Sequence, residues 1–184
     1  MVAESEHDNS SGLVAFWLLP ADVHKGYLVA RIHRLADEHD APVFDPHVTL
    51  YLTGLHPDES PAVVLEKLSE AFPPVECVAG LTMHSSELFK ALFVPVSGSA
   101  LHALHYATRA LCGDRASGFD FAPHVSLMYK ILPDSERAAL ATGENLSGQR
   151  IVCDEVAAIC PAPGAPDFSD IAGWRKVAGR KLSG

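Results

Sequence analysis

One seven-residue phrase occurs twice in this chain and limits what it can fold into. Phe44-Asp45-Pro46-His47-Val48-Thr49-Leu50 returns 77 residues later as Phe121-Ala122-Pro123-His124-Val125-Ser126-Leu127. Five of the seven positions are identical, and a sixth exchanges one hydroxyl residue for another. In each copy a His and a hydroxyl at i, i+2 alternate with apolar residues, the period of a strand with one buried face. Such a strand carries the imidazole and the hydroxyl on one side, roughly 6.6 Å apart, and buries Val and Leu on the other.

The order of elements around the phrase repeats as well. Leu13 to Leu19 is a nearly continuous apolar run closed by Pro20 and reads as a central strand. Asp22 is placed to cap a helix running to about His39, with Val23, Tyr27, Ile32, Leu35 and Ala36 on its apolar stripe. Ala41-Pro42 breaks it, and the first His strand runs from about His47 to Leu55. Ser60-Pro61 opens a second helix that Pro73-Pro74 ends, before a strand from Val75 to Met83.

The series then restarts. A strand from Leu88 to Val96 leads to a helix capped by Ser99, with Leu101, Leu104, His105, Thr108, Leu111 and Cys112 on its stripe. The second His strand follows, about His124 to Leu132, then a short helix from Pro133-Asp134 through Leu140 and a strand from Ile151 to Cys160. A Pro/Ala/Gly loop over 161–166 precedes a final strand, Trp174 to Leu182.

The repeated unit is β-α-β(His)-α-β, with halves at about 13–85 and 88–160. A 77-residue shift lays Phe16 on Phe93, Leu35 on Cys112 and His47 on His124. Neither copy has enough strands to stand alone. The expectation is an α+β protein in which duplicated βαβ-type units form two pseudo-twofold-related lobes, with antiparallel sheets around a central groove. Residues 13–184 form this single bilobal domain, preceded by a flexible tail over 1–12.

Composition bounds the partners. Apolar residues are 48% of the 184, enough for a real core, yet no apolar run approaches the 18 residues of a membrane span. The polar, acidic N-terminus is unlike a signal peptide, so a cytoplasmic protein without membrane attachment is expected, as a monomer. A net charge of −9 disfavours long nucleic acid but leaves room for a small anion held by a few donors. The four cysteines form no C-x-x-C pattern and read as buried free thiols.

Two imidazoles with neighbouring hydroxyls suit attack on a phosphodiester. One neutral ring takes a proton from water while one protonated ring gives a proton to the leaving oxygen. The hydroxyls can donate to the non-bridging oxygens as charge develops there. A lone strand His is usually structural, but packing gives no reason to repeat His-x-Ser/Thr. A metal would need a third ligand; Asp45 has Ala122 as its counterpart, so symmetry supplies no carboxylate, and no metal or cofactor is expected. His102 and His105, at i, i+3 on a helix, read as one exposed and one core residue.

His47-Val48-Thr49-Leu50 and His124-Val125-Ser126-Leu127, paired H-x-[ST]-h motifs in a duplicated unit spanning about Leu13 to Leu182, resemble the two-histidine (2H) phosphoesterase superfamily. The resemblance implies His47 and His124 as the acid/base pair, and Thr49 and Ser126 as phosphate donors. Ser126-Leu127-Met128-Tyr129 looks most like the cyclic phosphodiesterase branch, which implies a ring-contacting Tyr129. Strict alternation puts Tyr129 on the Val125 face, however, and only a bulge or the strand's end would turn it. Lys90, counterpart of Leu13, could reach a phosphate or stand on a solvated edge; Phe89 could stack on a base, and Phe93 reads as core. The implied activity is metal-independent hydrolysis of a small nucleotide-like 2′,3′-cyclic phosphate, either a nucleoside 2′,3′-cyclic phosphate or ADP-ribose 1″,2″-cyclic phosphate, to a phosphomonoester. The alternatives are a LigT-like RNA-end cyclic phosphodiesterase and a non-catalytic nucleotide- or RNA-binding module.

Overall fold

A computed structural model describes residues 12–56, 58–113, 115, 119–165 and 167–184. The expected tail lies outside them except for Gly12, whose carbonyl accepts from the Leu55 N–H at 2.7 Å. The first half runs β1 (Leu13–Pro20), α1 (Asp22–His39), β2 (Val48–Gly54), α2 (Pro61–Ala71), β3 (Val75–Ala79). The second runs β4 (Met83–His84), β5 (Leu92–Ser97), α3 (Leu101–Leu111), β6 (His124–Met128), α4 (Asp134–Gly143), β7 (Arg150–Cys160), β8 (Arg175–Lys181). This is a mixed helix and antiparallel-sheet fold with one open sheet among the described residues.

The strand order is β2-β1-β7-β3-β5-β4, with β6 also on β5 and β8 also on β7. Exchanging β1 with β5, β2 with β6 and β3 with β7 maps the run β2-β1-β7-β3-β5-β6 onto itself. β3 thus lies beside β5 of the second half, and its counterpart β7 beside β1 of the first. At the centre, Val75 pairs with Cys153 and Cys77 with Ile151, two pairs that a 76-residue shift interchanges. β2 and β6 stand at opposite ends of this run, yet they touch. The sheet therefore curls, and its curl carries one His strand to the other.

Local chemistry accounts for most boundaries. α1 ends where Asp40 turns left-handed (φ 50°), its N–H closing on the Ala36 carbonyl, before Pro42. Ser60 precedes Pro61 at the first helical position of α2. Several boundaries differ from expectation. Asp22 is the first residue of α1, Ala21 is the cap position, and Val23 is 83% exposed rather than on the stripe, which Leu28, Ile32, Leu35 and Ala36 form. Ala100, not Ser99, precedes α3. The strand expected over Val75–Met83 splits at Gly80, whose N–H bonds the Pro95 carbonyl. Leu88–Lys90 is a 3₁₀ turn, so β5 begins only at Leu92. β6 stops at Met128, not Leu132.

Helices cover one face of the sheet, the outer face of its curl, around a core that includes Phe16, Leu18, Leu28, Leu35, Leu50, Leu65, Leu92 and Leu104, all fully buried. Each such side chain contributes on the order of 1.5–3 kcal/mol of hydrophobic stabilisation. Cys77, Cys112 and Cys153 are buried free thiols within it, and Cys160 is a partly buried one. No helix among the described residues is long and apolar enough to cross a membrane.

Candidate active site

Both His strands carry a bulge at the same place in the repeat. In β2 the ladder to β1 steps from Trp17↔Thr49 to Phe16↔Tyr51, leaving Leu50 as the extra residue. In β6 the ladder to β5 steps from Phe93↔Ser126 to Leu92↔Met128, leaving Leu127 as the extra residue. The Leu50 carbonyl is bonded by His105 Nδ1 at 2.7 Å. A bulge resets side-chain alternation, so Leu52 and Tyr129 turn to the face of the histidines instead of away from it. The bulges also fix the true correspondence of β1 with β5 at 76 residues. Phe93 therefore matches Trp17, not Phe16, and it meets His124 edge-on with ring centroids 5.3 Å apart.

The curled sheet encloses a cavity of ≈ 220 Å³ lined by His47, Thr49, His124, Tyr129 and Lys90 among others. His47 immediately precedes β2 and His124 begins β6, and each ring is held by the carbonyl two residues before it. His47 Nδ1 lies 2.7 Å from the Asp45 carbonyl and His124 Nδ1 2.7 Å from that of Ala122. A carbonyl can only accept, so each Nδ1 carries its proton and each Nε2 is left as the reactive nitrogen. The phrase itself produces this: Pro46 and Pro123 fix the backbone turn that brings each carbonyl under its own ring.

The two imidazoles differ in surroundings. His47 is 5% exposed and lies flat against Trp17, with centroids 3.5 Å apart. Burial pushes its pKa down to about 4, against the opposing pull of the Asp45 carbonyl, and a charge on His124 would lower it further. His124 is half-buried. Burial lowers its pKa too, the Ala122 carbonyl works against that, and the Lys90 ammonium adds to the lowering. Tyr129, 4% exposed, stacks on Phe44 and puts its hydroxyl 3.5 Å from His47 Nε2; burial raises its pKa.

The two motif hydroxyls are not equivalent. Thr49 lines the cavity. Ser126 does not: its Oγ donates to the Phe89 carbonyl at 2.8 Å. Lys90 reaches the cavity and stands 3.8 Å from Glu87 Oε2. Phe89 is on the wall, as is a group that the strand pattern did not single out: Trp17, Glu87, Phe119, Asp120, Phe168 and Trp174. Trp174 precedes β8 rather than starting it, and its indole N–H donates to the Phe168 carbonyl at 2.9 Å. His105 is buried and His102 exposed, both away from the cavity. Among the described residues no three His, Cys, Asp or Glu side chains are grouped to hold a metal ion.

A family model described as the 2′-5′ RNA ligase superfamily matches residues 20–159. The chain belongs to that superfamily, the 2H phosphoesterases. Solved structures with the same fold include TT0787 of Thermus thermophilus, at 15% identity and a TM-score of 0.61, covering 92% of this chain and 97% of that one. Escherichia coli LigT in apo form follows at 14% identity and 0.56, covering 94% and 98%. LigT complexed with 3′-AMP matches at 15% and 0.54, covering 93% and 98%. No curated protein matches the sequence.

Proposed function

We propose that this 2H phosphoesterase hydrolyses a small cyclic phosphodiester, a nucleoside 2′,3′-cyclic phosphate or ADP-ribose 1″,2″-cyclic phosphate, to a phosphomonoester. The observation that carries the reading is the pair of imidazoles, each held through Nδ1 by its own backbone and each lining one cavity. That neighbouring folds such as LigT are described with 3′-AMP, ATP or NADP+ supports a nucleotide-like ligand.

His47, neutral because it is buried, takes the proton from the attacking water at Nε2. His124, closer to solvent, takes up a proton as the anionic phosphate binds, and gives it to the ribose oxygen as the P–O bond breaks. One proton enters on His47 and one leaves from His124, so the pair returns to its starting state by exchange with solvent. Thr49 Oγ1 donates to a non-bridging oxygen and Lys90 offsets its charge. Ser126 acts indirectly, by tying down the Phe89 carbonyl beside His124. Tyr129 holds the edge of His47 and closes the cavity behind the phosphate.

The test is an assay of purified protein, in EDTA, against the four nucleoside 2′,3′-cyclic phosphates and ADP-ribose 1″,2″-cyclic phosphate, with product followed by phosphorus NMR. Conversion to a monoester is expected; ligand binding with no turnover of any of the five would overturn the reading.

A further inference from the structure

The charges around the cavity are unusual for a site that takes a phosphate. Lys90 is the one lysine or arginine lining it among the described residues, and its ammonium already faces Glu87. Glu87 and Asp120 are both exposed and both line the cavity. Behind the Trp17–Trp174 partition lies an adjoining cavity whose charges are already paired: Lys176 is bonded to Glu155, and Asp45 faces Lys25 at 2.9 Å. Within the histidine cavity itself, one phosphate finds Lys90 and a second meets Glu87 and Asp120.

Resting on the phosphodiesterase reading, we propose that the site selects a substrate with one phosphate and one aromatic ring. Glu87 and Asp120 are specificity-determining residues that turn away a second phosphate on the same molecule. The ring has its surface: Phe89, 40% exposed, and Phe119 and Trp174 offer apolar faces on the cavity wall. The repulsion is coulombic and acts through the partly solvated mouth, so it is moderate and screened by salt. A nucleoside 2′,3′-cyclic phosphate fits this description, whereas a pyrophosphate-bearing or 5′-phosphorylated cyclic phosphate does not.

The test compares adenosine 2′,3′-cyclic phosphate with its 5′-phosphorylated form, which differs only by the second phosphate, at low and high ionic strength. At low salt kcat/KM should favour the 5′-hydroxyl substrate by at least about tenfold, and the preference should shrink in 1 M salt. Asp120→Asn, which leaves the Lys90–Glu87 pair intact, should cut the preference by about threefold or more, and Glu87→Gln with Asp120→Asn should cut it further. A preference near one, or one unchanged by the double substitution or by salt, would overturn the inference while leaving the phosphodiesterase reading in place. Turnover of neither substrate would overturn this inference, and if the other nucleoside 2′,3′-cyclic phosphates and ADP-ribose 1″,2″-cyclic phosphate were also left unconverted, the phosphodiesterase reading would fall with it.

Discussion

Trp17 lies flat on the ring of His47, with planes within 4° of parallel and centroids 3.5 Å apart. The indole removes one face of the imidazole from water, and water is what would stabilise the imidazolium. Desolvation is the largest cause of the low His47 pKa. Trp17→Leu keeps the site apolar but lets solvent reach that face, so the His47 pKa should climb toward 6.5. The acid limb of kcat/KM, which reports protonation of the base, should move up by about one pH unit, lowering activity at pH 5 relative to pH 7. Proton NMR titration of the ring in both proteins measures the same change directly. An unmoved acid limb would mean that His47 is not the base.

Removing either imidazole removes one of two proton transfers. His47→Ala and His124→Ala should each lower kcat by at least about 10³-fold. Circular dichroism and cooperative urea unfolding should show both variants folded, since each ring's short polar bond, at 2.7 Å, is to a carbonyl two residues away. EDTA should leave the unaltered enzyme's rate unchanged. Activity surviving either substitution would sink the two-histidine mechanism.

The unaltered enzyme should show a bell-shaped dependence of kcat/KM on pH, centred below 6.5. Both imidazole pKa values are lowered by burial, and the productive form carries one proton shared between the two sites. A profile rising through pH 8 would contradict the assignment.

The two histidines and Thr49 could be placed because their geometry is local: one strand period puts Thr49 on the face of His47, and the carbonyl two residues before each histidine orients its ring. Ser126, by contrast, is turned to the Phe89 carbonyl by a contact outside the phrase. Tyr129 could not be placed, because the bulge that turns it is a property of the ladder between two strands, not of β6 alone. The same bulge shifts the correspondence of β1 and β5 by one residue, which is why Phe93 read as core although it touches His124. Trp17 sits inside an apolar run and carries the signature of core; only its pairing with Thr49 shows that it shares the cavity face. Trp174 and Phe168 belong to the segment between β7 and β8, which has no counterpart in the first half. Repetition, the strongest signal in the sequence, is silent about it.

Thr49 and Ser126 occupy matching positions but should fail differently. Thr49→Val removes a hydroxyl from the cavity wall and should cost about 10²-fold in kcat with little change in stability. Ser126→Ala takes one donor from the Phe89 carbonyl and should cost about 1 kcal/mol of stability, with a smaller effect on kcat. Steady-state kinetics and urea unfolding on the two variants separate these outcomes. Equal losses of kcat would show that Ser126 reaches the phosphate after all.

Burial of a neutral His47 also links the site to folding. In the unfolded chain this imidazole titrates at the ordinary 6.5, and in the folded protein at about 4. Between those values the unfolded state binds a proton that the native state does not, so stability rises with pH through the window. Its contribution is present in full above pH 6.5, falls as the pH drops toward 4, and is about 3 kcal/mol lower there. His124 acts in the same direction, because its pKa is lowered as well. His47→Asn keeps a donor for the Asp45 carbonyl but cannot titrate, and the remaining ionisable groups are common to both proteins. Going from pH 7.5 to pH 5, the unaltered protein should therefore lose about 2 kcal/mol more than the variant in urea unfolding. Parallel losses in the two proteins would show that His47 is open to water and protonates freely in the folded state.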